Sequence, residues 1–225
     1  MIALARLPLA RLARTRRAAL PLLGWCIAAF GATLLARQAN VSSADRSLLG
    51  LFVPFVMPLV TYAIASAALG GEGLVGATRP LVRFGASPRL TALAAGVVTM
   101  IASGLACAIV GALLVVAAHN AVDPPIGHDV TLTAYAAALG GAAHGAFFIL
   151  GSIVGARGGG RGFALVANWL CGASPGFISV VVPYAHVRSL LGGAPAATLS
   201  QKESAWALVA IIVASLALSS LRVRK

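Results

Sequence analysis

Few side chains in this chain could do chemistry, and those few stand alone within apolar sequence. His144 lies among alanine and glycine residues, and neither it nor His186 has an acid or a lysine beside it. Asn168 is the most polar amide inside the apolar stretches. A proton relay across a membrane needs a series of Asp, Glu or His residues, so ion-driven transport is disfavoured. For His144 and Asn168 we expect structural hydrogen bonds, with the lining of a transport path as the alternative.

The motifs of nucleotide, metal and protease sites are missing. Residues 157–161 read Arg-Gly-Gly-Gly-Arg but lack the Gly-Lys-Ser/Thr end of a phosphate-binding loop, so we predict a flexible turn. The three cysteines lack the paired spacing of zinc or redox motifs. A catalytic Ser–His pair of an intramembrane protease, with His144 as its histidine, stays open as an interpretation. Nothing in the sequence favours it over a packing role for these side chains. We therefore predict no catalytic, cofactor-binding or metal-binding residues, and no enzymatic activity in this chain itself.

Six long apolar stretches, free of Lys, Arg, Asp and Glu, must position these side chains. Mean hydropathy is +0.95 and only 10% of residues are charged, against about a quarter in soluble domains. A spanning helix needs about 20 apolar residues, whereas barrel strands of about 10 would alternate in polarity, which is not seen. The chain is predicted to be an all-α, single-domain, polytopic membrane protein. The six predicted transmembrane helices are residues 18–36, 48–71, 90–118, 130–156, 162–185 and 204–221.

The charges outside these stretches separate by sign. Segments before the first, after the second, after the fourth and after the sixth stretch hold 13 of the 17 Lys and Arg residues but only one of five acids, Glu72. This is the positive-inside pattern of a protein with cytoplasmic N- and C-termini. The net charge of +12 then reflects orientation signals and attraction to anionic membrane lipids. We expect no binding of nucleic acid.

The loop 72–89 is the only large inter-span loop on the predicted cytoplasmic side. Arg79 and Arg83 stand one helical turn apart, with apolar residues including Phe84 around them. A short helix here would present charge on one side and apolar residues on the other, which is a docking shape for a partner. A loop that rests on lipid is the alternative.

Three further segments carry structural expectations. The glycines of the fourth stretch at spacings of four, such as Gly141 and Gly145, favour close helix packing within the chain over a dimer face. Residues 182–199 are predicted to form an external re-entrant or interfacial segment. Residues 1–17 carry five arginines and are expected at the interface, but Pro8 and the scattered apolar residues do not predict a clean amphipathic helix.

The order of these features resembles the membrane subunit of an ABC-2 type transporter, with type V exporter-like architecture. The stretch GEGLVGATRPLVRFGASPRLTALAAGVV is similar to the family's coupling region before span three, and Arg89 matches the arginine after its Ser/Pro turn. Within the segment 182–199, residues 182–194 match the external re-entrant region of the family. The family's amphipathic elbow helix before span one, and its frequent lysine early in span three, are not apparent.

The resemblance implies an ATP-driven permease in a bacterial inner membrane. It would form the path for export of an amphipathic or apolar substrate, paired with a second permease copy or a related permease. A separate cytoplasmic ABC ATPase would dock on the coupling loop through Glu72, Arg79, Arg83 and Arg89. Three other interpretations stay open: a haem-exporter-like permease, a non-transporting membrane scaffold or accessory subunit of a larger complex, and an intramembrane enzyme.

Overall fold

The computed structural model describes residues 2–14, 16–39, 47–119, 125–174 and 176–223, and this part of the chain is all helical. The chain order begins with α1 (Ile2–Arg14) and α2 (Arg16–Ala39), followed by a π-helical segment (Leu48–Val56) that runs directly into α3 (Met57–Ala68). It continues with α4 (Leu74–Arg83), α5 (Pro88–Ala118), α6 (Ile126–Gly151) and α7 (Gly159–Ala173). A 3-10 turn (Phe177–Val181) precedes α8 (Pro183–Leu190), and α9 (Gln201–Arg222) closes the sequence of helices.

Four helices are long and apolar enough to cross a membrane: the joined segment Leu48–Ala68, and α5, α6 and α9. The protein is therefore a membrane-embedded, multi-pass helical protein. The predicted spans 90–118 and 204–221 agree with α5 and α9 to within three residues at each end. The spans 48–71 and 130–156 overrun their helices, which end at Ala68 and Gly151.

The predicted fifth span, 162–185, which contains Pro175 and Pro183, is not one continuous helix. The helix α7 ends at Ala173, and its 15 residues measure about 22 Å, short of a hydrocarbon core of about 30 Å. The 3-10 turn follows, and Pro183 starts a new helix because proline disfavours helical geometry in the residue before it; Val182 is extended. The first predicted span falls within α2, whose described apolar part, Leu23–Leu35, is shorter than a span. The total of six crossings stays a prediction.

The N-terminal segment also differs from the sequence-based expectation. Residues 2–14 form a helix in spite of Pro8, which is buried within it. The proline removes one N–H from the helix, but α1 packs against α3 and α5, and Leu12 contacts the main core. Tertiary packing thus outweighs the local break, and a helix precedes α2 where no clean amphipathic helix was predicted.

Two prolines leave one backbone carbonyl of the segment 48–68 without its α-helical donor. In an α-helix the carbonyl of Pro54 would accept from the N–H of residue 58, but that residue is also proline and has none. The indole Nε1–H of Trp169, on α7, donates to the Pro54 carbonyl instead. A neighbouring helix therefore satisfies the backbone group that the prolines leave without a partner.

The pairing of α5 with α6 is the largest helix–helix interface of the described chain. A Cβ built on Gly141 would lie 2.6 Å from the Ser103 carbonyl oxygen, and one on Gly145 would lie 2.8 Å from the Ser103 hydroxyl. Both glycines therefore allow the two backbones to approach closely. The prediction that these small residues pack within the chain is confirmed.

Candidate functional site

The segment predicted to dock a partner forms the helix α4 at one end of the bundle. One side of α4 is buried through Leu74, Ala77 and Thr78. Beneath them lies a small apolar core that joins the ends of α3, α5, α6 and α9 through Leu69, Ala92, Ala95, Ile149 and Val223. We call this the basic end of the bundle, because α4, the turn 152–158 and the arginine-bearing end of α9 meet there.

The other side of α4 and the approach to α5 are exposed. Arg79 and Arg83 face solvent one helical turn apart, and Arg89 is exposed in the first turn of α5. Phe84, at the end of α4, is 92% exposed. Three of the four predicted coupling residues and an aromatic ring are therefore exposed within residues 79–89, and we call this set the docking face (Arg79, Arg83, Phe84 and Arg89).

The fourth predicted residue, Glu72, acts through its backbone. Its side chain is exposed, while its carbonyl oxygen accepts a hydrogen bond of 2.9 Å from the Nη1 atom of Arg161. Arg161 stands in the first turn of α7 and is 3% exposed. It also lies 3.5 Å from the Ser152 hydroxyl, at the end of α6. One buried guanidinium thus joins the base of α4 to two other helices.

Two more hydrogen bonds tie α4 to the bundle. The Leu74 N–H donates to the Ser152 carbonyl over 2.9 Å, which joins the start of α4 to the end of α6. On the other side, Nη1 of Arg11 on α1 donates to the Ala77 carbonyl over 3.1 Å. The docking face is therefore carried by a helix that is fixed to α1, α6 and α7 by specific bonds.

Sequence reasoning missed Arg161 and Arg11, because it treated both as orientation charges. The turn before Arg161 is compact: Gly158 has φ of +73°, and the Gly160 N–H donates to the Val154 carbonyl over 3.0 Å. The predicted flexible turn is thus a hydrogen-bonded structure that brings Arg161 to the Glu72 carbonyl. An arginine directly beside an apolar stretch was the available signal, but its partner lies far away in sequence.

His144 and Asn168 are buried within the bundle. The His144 Nδ1 atom is 2.8 Å from the Gly140 carbonyl oxygen, and the Asn168 side-chain oxygen accepts from the Tyr184 N–H over 3.2 Å. The Asn168 side chain thereby provides the acceptor for a backbone N–H in the first turn of α8. The expectation of structural hydrogen bonds is confirmed for both residues, and their place in a transport path stays a prediction. Among the described residues, no cluster of His, Cys, Asp and Glu could hold a metal ion.

Comparison with protein-family models finds none that matches the chain, and comparison with curated proteins finds no similar sequence. The class of the protein therefore follows from its helices: it is a membrane-embedded, multi-pass protein with a short helix anchored across one end of the bundle.

Proposed function

We propose that this chain is the permease subunit of an ATP-driven ABC transporter. In this proposal the chain provides the path for export of an amphipathic or apolar substrate, and a separate cytoplasmic ATP-binding subunit supplies the energy. It crosses the bacterial inner membrane six times and pairs with a second copy or a related permease. The observation that carries the proposal is the anchored helix α4, with its docking face exposed at the basic end.

The anchoring of α4 suits the transmission of force. A partner that moves the docking face also moves Glu72 and Leu74, and these are bonded to Arg161 and Ser152 at the adjoining ends of α7 and α6. The apolar core under α4 includes residues of α3, α5 and α9. Displacement of one short helix would therefore reach most of the membrane helices through direct contacts.

The residues of the docking face are difficult to explain by the stability of this chain alone. Arg89 lies in the first turn of α5, where the helix dipole disfavours a cation. Phe84 exposes 92% of its surface beside Arg83. Aromatic residues, phenylalanine included, and arginine are enriched at protein interfaces relative to the rest of the protein surface. A partner with an acidic and apolar cleft would use both.

The experiment is affinity purification of the tagged full chain from its host membranes, with mass spectrometry of the partners and an ATPase assay. We expect a protein with ATP-binding motifs in near-stoichiometric amount. The double variant Arg83→Glu and Arg89→Glu should reduce its recovery at least about tenfold, because reversal of interfacial charges costs several kcal/mol. The control is Arg6→Glu with Arg14→Glu, which makes the same charge change on exposed residues of α1. Equal recovery with both double variants would contradict docking on α4.

The alternative function is a non-transporting scaffold or accessory subunit of a larger membrane complex. It is favoured by one observation: His144 and Asn168, the polar groups for which a transport path was the alternative to a structural role, are fully buried within the bundle. A purified complex that contains other membrane proteins and no ATP-binding subunit would favour this function over transport.

A further inference from the structure

An outward-facing groove runs along α9, between α6 and α7. Near the basic end it has a volume of about 470 Å³ and is lined by apolar side chains that include Phe147, Phe163 and Leu218. Arg222 is the one charged side chain among the described residues of this lining. The two phenyl rings and the leucine lie on three different helices, so the groove is a feature of the assembled bundle.

The groove continues along α9 towards the opposite end of the bundle. A second cavity of about 360 Å³ shares Phe147 and Leu150 with the first and extends to Ala207. Leu218 and Ala207 are eleven positions apart on α9, which is about 16 Å at 1.5 Å per residue. That length equals about half of a hydrocarbon core of 30 Å, or the depth of one leaflet.

The charge at the mouth of the groove indicates what fills it. Arg222 is the last residue of α9, and Arg224 and Lys225 follow it in the sequence. The positive-inside pattern assigns this end to the cytoplasmic leaflet, where anionic lipids are found. A guanidinium can hold two phosphate oxygens at once. A second copy of this chain, related by a twofold axis through the groove, would instead bring another Arg222 towards the first.

We propose that the groove binds an anionic phospholipid. One acyl chain lies along Phe147, Phe163 and Leu218, and the phosphate of the headgroup binds Arg222. The site is separate from the docking face, and it depends on the membrane embedding of the chain but not on ATP-driven transport.

The test is native mass spectrometry of the full chain released from nanodiscs that contain equal amounts of phosphatidylglycerol and phosphatidylcholine. We expect retained phosphatidylglycerol to exceed phosphatidylcholine about fivefold, the preference that one interfacial arginine supports. Arg222→Gln should abolish this preference. The control Arg14→Gln removes an exposed arginine of α1 that does not line the groove, and it should retain lipid as the wild type does.

A second variant tests the apolar part of the site. Leu218 is 48% exposed, so Leu218→Trp should fold and occupy the groove, and retained phosphatidylglycerol should fall although Arg222 is present. If Arg14→Gln and Arg222→Gln reduce retained phosphatidylglycerol equally, the lipid is attracted to the basic end in general, and the proposal is overturned. Retention of both lipids without headgroup preference by the wild type would overturn it as well. So would a Leu218→Trp variant that loses a dimer but retains the same amount of phosphatidylglycerol. The last result would make a second copy of the chain the occupant.

Discussion

Arg161 and Glu72 are 89 positions apart in the sequence, yet Nη1 of Arg161 donates a hydrogen bond of 2.9 Å to the Glu72 carbonyl oxygen. The bond connects the start of α7 with the residue that leads into α4. It uses a buried guanidinium that the charge pattern alone would place in the headgroup region. The connection gives the docking face a fixed position relative to the membrane helices, which a motor-driven permease requires.

Arg161→Met should destabilise the protein by about 1–3 kcal/mol, because it leaves the Glu72 carbonyl without its donor while it keeps part of the apolar stem. Thermal unfolding of the purified protein in detergent measures the effect. Arg157→Met is the matched control, since Arg157 lies in the turn just before α7 but is exposed; the free energy of unfolding should change by no more than about 0.5 kcal/mol. Equal stability of the two variants would show that the Arg161 bond does not hold α4 in place.

Trp169→Phe should destabilise the protein by about 1 kcal/mol, because the Pro54 carbonyl loses its indole donor. The cause can be tested with Pro58→Ala, which restores a backbone N–H that can donate to the same carbonyl. In the Pro58→Ala background, Trp169→Phe should therefore cost less. A double-mutant cycle measures this difference, with Trp206→Phe, a 66% exposed tryptophan, as the control. If the two substitutions change the free energy of unfolding additively, Trp169 acts through packing alone.

Gly141→Ala should cost about 1–3 kcal/mol, since the added Cβ would lie 2.6 Å from the Ser103 carbonyl oxygen and 2.7 Å from the Cys107 Cβ. Gly127→Ala is the matched control on the same helix, because nothing lies within 4 Å of its Cβ position. There the higher helix propensity of alanine should stabilise the protein by up to about 1 kcal/mol. Thermal unfolding checks both signs, and destabilisation by both substitutions to the same extent would rule out the close-packing explanation.

The sequence predicted the elements that follow from local hydrophobicity and failed where distant contacts decide. The limits of α5 and α9 follow from long apolar runs and flanking polar residues. The helix α4 could also be expected from the spacing of Arg79 and Arg83. In contrast, α1 forms in spite of Pro8 because α3 and α5 pack against it, and these contacts are distant in the sequence.

The same distinction between local pattern and distant contact applies to the residues of the candidate site. Arg79, Arg83 and Arg89 could be predicted as a surface because they lie within one loop. The role of Arg161 could not, because its partner carbonyl belongs to Glu72 and the fold alone brings the two together. The break in the fifth predicted span could be predicted from Pro183, although hydrophobicity continues across residues 162–185.

The most direct test of the central claim is site-specific photo-crosslinking from Phe84 in the docking face, which is 92% exposed. A benzoylphenylalanine placed there in host membranes should crosslink to one protein, and mass spectrometry should identify it as an ATP-binding subunit. The matched position is Phe177, which is 83% exposed and lies in the 3-10 turn beyond the C-terminal end of α7; it should not yield this product. Crosslinking of the ATP-binding subunit from Phe84 alone is the predicted result. No product from Phe84, or a product without ATP-binding motifs, would contradict a motor-driven permease that docks its partner on α4.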